Sequence, residues 1–239
     1  MSRRVLVTGG GSGIGRAVAR AFADLEDKVT VTGRRMDALE ETAAGRMECR
    51  EADVTNEASV AALFDRPFHV VVANAGAGQA ARIGGTSLEQ WNATIAVNLT
   101  GTFLTFRAAL EGMEAGGRLI AMASTASLQG GPFIAAYAAA KHGVLGLVRS
   151  VAKEVATRGI TCNAVCPGYV DTPMAERAAE GLVKRMGIGR EEAMAKLAVG
   201  NPLGRMIDPA EVAAAAVFLA SPGASMVNGH ALSVSGGEI

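Results

Sequence analysis

Apolar positions recur along this chain with two periods that take turns. Short β-rich runs stand at Val5–Thr8, Lys28–Thr32, Met47–Arg50, His69–Ala73, Arg118–Ala123, Ile160–Val165 and Ala231–Val234. Between them, Gly13–Leu25, Met36–Ala43, Glu57–Phe64, Leu88–Met113, Ala135–Thr157 and Pro209–Leu219 space their apolar residues as one face of a helix does. Strand and helix in alternation predict an α/β fold: a doubly wound parallel sheet of about seven strands, helices on both faces, right-handed crossovers between them. No repeat, linker or low-complexity stretch divides the chain, so residues 1–239 read as a single domain. The stretch Thr172–Gly200 is helical, charged and Met-rich with no strand after it. It reads as a lid inserted over the carboxyl edge of the sheet, where such folds bind ligands.

The helix Ala135–Thr157 changes that picture by one partner. Val144, Leu145, Leu147, Val148, Val151 and Val155, with Ala around them, make an apolar surface broader than one buried stripe needs. A homo-oligomer, tetramer or dimer, is expected. Lysine plus arginine equal aspartate plus glutamate at 23 each, with no basic block, which argues against nucleic-acid or anionic-membrane binding. No run approaches the ~18 apolar residues of a membrane span. Arg3-Arg4 near the start is followed by only Val5, Leu6 and Val7 before the glycines, too little for a signal peptide. The three cysteines, Cys49, Cys162 and Cys166, are an odd number in a chain that needs no staple, so they are expected reduced, in a cytoplasmic protein. Cys162-x-x-x-Cys166 near His142 fits no standard zinc spacing, and no metal is expected.

Two segments carry candidate chemistry. Tyr137-Ala-Ala-Ala-Lys141 sets a phenol and an ammonium one helical turn apart on the same face. A lysine charge ~4 Å away at an effective dielectric of ~20 is worth ~4 kcal/mol. That would bring a phenol from its ordinary pKa of about 10 to about 7 and make it an acid/base for a carbonyl or alcohol. The run Val5-Leu6-Val7-Thr8-Gly9-Gly10-Gly11-Ser12-Gly13-Ile14-Gly15 reads as a buried strand, a glycine-dense turn and a helix start. Glycines let the backbone approach a pyrophosphate, and the helix N-terminus offers free N–H groups at its positive end. Two rival motifs fail: Arg16-Ala17 stand where a P-loop needs Lys-Ser/Thr, and Ile14 stands where a nucleophile elbow around Ser12 needs its second glycine.

Thr8-Gly9-x-x-x-Gly13-x-Gly15 together with Tyr137-x-x-x-Lys141 makes the chain resemble the short-chain dehydrogenase/reductase family, in its compact branch. Asp53-Val54, Ala73-Asn74-Ala75-Gly76, Asn98, Ser124, Asn163 through Gly168, Thr172-Pro173 and Gly236-Gly237 match in order, so the resemblance covers essentially the whole chain. It implies a Rossmann fold and an oxidoreductase moving a hydride between a nicotinamide cofactor and a ketone or secondary alcohol. It also implies roles. Tyr137 would exchange the proton with the substrate oxygen, and Ser124, thirteen residues earlier, would position that oxygen, with Ser127 the competitor. Lys141 would lower the tyrosine pKa and bind the ribose, and Asn98 would hold a relay water. The implied cofactor contacts are Gly9, Ser12, Gly13, Ile14, Gly15, Asp53, Val54, Asn74, Gly76, Pro167, Gly168, Val170 and Thr172, besides Tyr137 and Lys141. Ala73 departs from the family's more usual asparagine.

After the second strand, Gly33 stands where an NAD enzyme of this family would carry an acid, and Arg34 follows. A guanidinium binds a 2′-phosphate that a carboxylate would repel. NADP(H) is therefore expected, with NAD(H) the alternative. His142 follows Lys141 and points about 100° away from the Tyr–Lys face, which makes it structural. Gln79, Arg82, Gln129, Phe133, Tyr169 and Met174 are candidate pocket walls for a small carbonyl or alcohol, including a 3-oxoacyl thioester. Glu111 and Glu114 stand where carrier-protein reductases are often basic, which weakens a carrier-bound substrate. The alternatives are an NAD(H)-dependent alcohol or 3-hydroxyacyl-CoA dehydrogenase and, more remotely, a catalytically idle nucleotide sensor.

Overall fold

The structure, a computed structural model, describes residues 2–239. Seven strands, β1 (Arg4–Thr8), β2 (Lys28–Gly33), β3 (Glu48–Glu51), β4 (Val70–Ala73), β5 (Arg118–Met122), β6 (Thr161–Pro167) and β7 (Ala231–Val234), form one sheet in the order β3-β2-β1-β4-β5-β6-β7. Every neighbouring pair is parallel. Nine α-helices accompany them among the described residues: α1 (Gly13–Asp24), α2 (Met36–Ala43), α3 (Glu57–Ala61), α4 (Leu88–Ile95), α5 (Gly101–Gly112), α6 (Ala135–Val155), α7 (Pro173–Met186), α8 (Arg190–Ala198) and α9 (Pro209–Leu219).

Period-two alternation splits each strand between two cores. Val5 and Val7 of β1 pack with Val18 and Phe22 of α1 and with Leu219 of α9, whereas Leu6 faces Phe106 of α5 and Val144 and Val148 of α6. All of these side chains are essentially sealed from solvent, and each large one contributes about 1.5–3 kcal/mol by burial. β4 is apolar and buried at every position because helices cover both of its faces. The chain winds outward from β1 to β3, then crosses back to place β4 on the other side of β1. The crevice at that reversal, outside the carboxyl ends of the strands, is where a ligand fits.

Local signals set the helix ends. Ser87 caps α4 reciprocally with Gln90, and Asp208 caps α9 with Glu211 behind Pro209. The expected single helix Leu88–Met113 is instead two α-helices joined by a π-turn at Ala96–Thr100. The expected ends near Phe64 and Thr157 tighten into 3₁₀ turns at Ala62–Phe64 and Ala156–Arg158. Leu88–Gly112 has the length and apolarity of a membrane-crossing helix. Here, though, Leu104, Phe106 and Ala109 are buried against the protein's own interior. The stretch expected as a lid holds two helices: α7 and α8 enclose a small core of Ala175, Ala179, Ala193 and Leu197, and a 2.6 Å ion pair joins Glu176 to Arg190.

Candidate active site

Four strand ends deliver the site. β1 runs into the glycine turn, β4 into Asn74–Gly78, β5 into Ser124 and β6 into Gly168–Thr172. The turn is shaped for close approach. Gly9 and Gly13 have φ of +65° and +50°, a left-handed backbone that glycine adopts without strain. A Cβ on Gly9 would stand 2.8 Å from the Cα of Ala75, and one on Gly15 would run into the carbonyl of Gly9 and the amide of Asn74. Asn74 braces this arrangement: its Nδ2 donates to the carbonyls of Thr8 (2.9 Å) and Gly9 (3.2 Å), while its own N–H donates to Thr8 Oγ1 at 3.0 Å. Arg16, passed over at the sequence level, donates to the Gly11 carbonyl at 2.8 Å and is itself held by Glu41. Its only signal was a basic residue one turn into a glycine-led helix.

Two helix N-termini meet over this turn. Ser12 begins α1 and Thr172 begins α7, and neither side chain caps its own helix. A Cβ on Gly13 would lie 3.1 Å from Thr172 Cγ2. Uncapped amides and two positive dipole ends make a cradle for a pyrophosphate. These residues fit a dinucleotide cofactor: Gly9, Ser12, Gly13, Ile14 and Gly15 at its phosphates, Thr172 across from them. Thr172 Oγ1 donates to the Val170 carbonyl at 3.1 Å, and Val170 bridges to Ile207, which fixes the root of the lid.

At the adenosine end, Asp53 Oδ1 accepts from the N–H and hydroxyl of Thr55 at 2.9 and 2.8 Å. These bonds, followed by the positive charge of Arg34, hold its carboxyl below the usual range. The Gly33 carbonyl accepts the Ala52 N–H at 3.0 Å, which brings the backbone of Arg34 alongside Asp53, and Arg34 is exposed. Val54 does not offer its side chain, which is buried against Gly101 of α5. Gly33 is open, since a Cβ there would meet nothing closer than Leu39 Cδ2 at 3.6 Å.

At the other end stand the four residues singled out for chemistry. Ser124 caps a short turn after β5, its Oγ accepting from Ala126 N–H at 3.1 Å. Ser127 is not its equal. It is buried, and its Oγ accepts the N–H of Ser124 at 3.2 Å, so it holds the turn rather than the substrate. Tyr137 is half-buried on α6, its ring pressed against Gly78, where a Cβ would come within 3.1 Å. Lys141 is buried and donates to the carbonyl of Met122 at 2.7 Å. Its Nζ is 5.7 Å from the Tyr137 ring centroid.

The expected tuning of the phenol does not appear in this structure. Burial pushes Tyr137 above its ordinary value, against the lowering pull of the neighbouring Ser124 hydroxyl. Lys141, tied to Met122 rather than to the phenol, is itself lowered to about 8 by burial. The phenol is therefore a neutral donor, the form that protonates a carbonyl oxygen.

Asn98 sits within the π-turn, sealed from solvent. Its Nδ2 donates to the carbonyls of Ala77 (2.7 Å) and Thr94 (2.9 Å), but Oδ1 has no partner. A buried acceptor left unpaired costs ~1–3 kcal/mol, so this oxygen calls for a donor. It faces Gly76, whose added Cβ would lie 2.7 Å from Oδ1 and 3.6 Å from Lys141 Nζ. A water between them suits the expected relay. Cys162 and Cys166 are buried in the sheet core, and burial pushes the Cys166 thiol up to about 11. Neither is a nucleophile at neutral pH. His142 is exposed, with Nδ1 2.9 Å from the Ala138 carbonyl.

The family model described as enoyl-(acyl carrier protein) reductase matches residues 9–238. A D-beta-hydroxybutyrate dehydrogenase of Rhizobium meliloti is 34% identical, over 99% of this chain and 98% of that protein. A putative ketoacyl reductase of Streptomyces coelicolor is 37% identical, over 99% and 97%. Among solved structures, an actinorhodin polyketide ketoreductase with NADPH superposes with a TM-score of 0.92 at 36% identity, covering 99% of this chain and 97% of that one.

Proposed function

The chain belongs to the short-chain dehydrogenase/reductase family and is an NAD(P)(H)-dependent ketone reductase, and we propose that it prefers NADP(H) and protonates its ketone from Tyr137. One observation carries the chemical part. Tyr137, Ser124, Lys141 and the orphaned Asn98 Oδ1 gather at one end of a cleft that continues past the glycine cradle.

When bound, the nicotinamide supplies the hydride that reduces the carbonyl carbon. Ser124 donates its hydroxyl hydrogen to the substrate oxygen, its acceptor side being already engaged by Ala126 N–H. Tyr137 gives its phenolic proton to the same oxygen, so the C=O π bond is replaced by C–H and O–H and a tyrosinate remains. Lys141, positively charged below about pH 8, stabilises that tyrosinate. A water held by Asn98 Oδ1 returns the proton. Orientation and electrostatics supply the acceleration.

The preference for NADP(H) rests on an exposed Arg34 beside an open Gly33, with Arg16 already engaged by Glu41. The NADPH held by the ketoreductase relative supports it. A cytoplasmic homo-oligomer, tetramer or dimer, is part of the same proposal. On α6, Leu147 and Val151 stay half-buried while Ala139 and Gly146 are exposed, and Phe103 of α5 is 41% exposed. The substrate is a small ketone, free or as a 3-oxoacyl thioester. Loss of NADPH absorbance with a ketone panel tests the reading. Tyr137→Phe should lower kcat by about 10²–10⁴-fold, and a Tyr137→Phe enzyme as active as the parent would overturn it.

A further inference from the structure

Beyond β7 the chain turns back toward the substrate end of the cleft. Gly236 and Gly237 both take left-handed backbones, with φ of +63° and +95°. A Cβ on Gly236 would collide with Asn201, itself buried at the end of the lid, and one on Gly237 would touch Pro202 at 3.4 Å. The turn closes with Glu238 N–H donating to the Ser235 carbonyl at 3.3 Å. Its product is a placed carboxylate. Glu238 Oε1 accepts from Gln129 Nε2 at 3.1 Å, five residues past Ser124. Oε2 lies 2.6 Å from where a Cβ on Gly168 would stand, at the end of β6, and has no partner among the described residues. Tyr169, next in the chain, feels this charge: partial burial and then Glu238 raise its phenol, and Tyr169 in turn raises Tyr137.

We propose that Glu238 selects the substrate, admitting neutral ketones that carry a hydroxyl near the carbonyl and disfavouring those that carry a carboxylate. The proposal rests on the ketone-reductase reading above and deepens it. The free Oε2 is a carboxylate acceptor set between the end of β6 at Gly168 and the segment after Ser124 at Gln129, so a substrate held there would have its hydroxyl bonded and an anion repelled. An opposing charge that also acts on Tyr169, Arg185 of the lid, lies over the Phe133 ring at 5.0 Å. Without Glu238, Arg185 would be left as the dominant charge at that mouth, and anions would gain.

The test compares kcat/KM for methyl acetoacetate against acetoacetate, and for hydroxyacetone against acetone, in the full-length protein with NADPH. Glu238→Gln, which preserves volume and a partner for Gln129, should cut the ester-over-acid preference about tenfold and the hydroxyacetone preference by a similar factor. Glu238→Lys should invert the ester-over-acid preference. If both variants reduce ketones with ratios within twofold of the parent, the selection role is wrong. If the parent reduces no ketone at all, the reading beneath it falls instead, and this proposal with it.

Discussion

Cofactor choice at Gly33 and Arg34 can be moved by two substitutions whose effects differ in sign for the two cofactors. Arg34→Ala removes a cation at the adenosine end. A guanidinium on a phosphate of about two charges at ~4 Å in water-like dielectric is worth ~2 kcal/mol, already discounted for exposure. The kcat/KM for NADPH should therefore fall roughly 30-fold, with NADH little altered. Gly33→Asp places a carboxylate where the Cβ has room, its nearest neighbour being Leu39 Cδ2 at 3.6 Å, on a backbone without positive φ. It should repel the 2′-phosphate by ~1–2 kcal/mol and gain one or two hydrogen bonds to ribose hydroxyls, each ~1.5 kcal/mol to a charged acceptor. The double variant should then shift the NADPH-to-NADH ratio by roughly three to five orders of magnitude. Steady-state kinetics with both cofactors, at low and high salt, measure it; the Arg34 share should shrink as salt rises. A ratio within threefold of the parent in Arg34→Ala at low salt would refute the 2′-phosphate role.

Three further outcomes follow from the geometry. Ser124→Ala should lower kcat by about a hundredfold. Ser127→Ala should instead cost ~1 kcal/mol of stability through its lost bond to the Ser124 N–H, with kcat within tenfold, and reversal of the two phenotypes in kinetics and urea melts would exchange their roles. Lys141→Met probes pH-linked stability. The folded pKa of about 8 lies below the unfolded 10.5, so the unfolded chain holds the extra proton in between and the parent gains stability as pH rises through that window. At pH 7 the buried charge costs the parent ~3 kcal/mol. The variant's stability relative to the parent should therefore decline between pH 7 and 10, and a flat difference in urea titrations would count against it. Gly15→Ala forces a methyl against the Gly9 carbonyl and Asn74, costing ~1–3 kcal/mol and weakening cofactor binding by fluorescence titration. Unchanged stability and affinity would show the cradle to be looser than described.

Alternating periodicity made the sheet legible because parallel strands covered on both faces must be apolar throughout, as Val70–Ala73 are. The four chemical residues were legible as a set of spacings tied to a family. What spacing could not carry was direction. Tyr137 and Lys141 share a helix face, yet the ammonium turns to the Met122 carbonyl, contributed by a strand 19 residues earlier in the chain. Val54 likewise sits at the right place in the chain but points into the core, because Gly101 leaves a hollow there. Glu238 was invisible as a pocket residue, since two left-handed glycines must first bend the chain back.

The π-turn around Asn98 fixes something other than a side chain. Each helical residue advances about 100°, so one surplus residue in the turn slips the phase of all that follows by that angle. Before it, α4 buries none of its residues; after it, α5 buries six. The turn thus works as a phase shifter between a helix that rides on the surface and one that locks into the core. Its length is what the packing depends on: removing a single residue here would rotate Phe106 out of the interior.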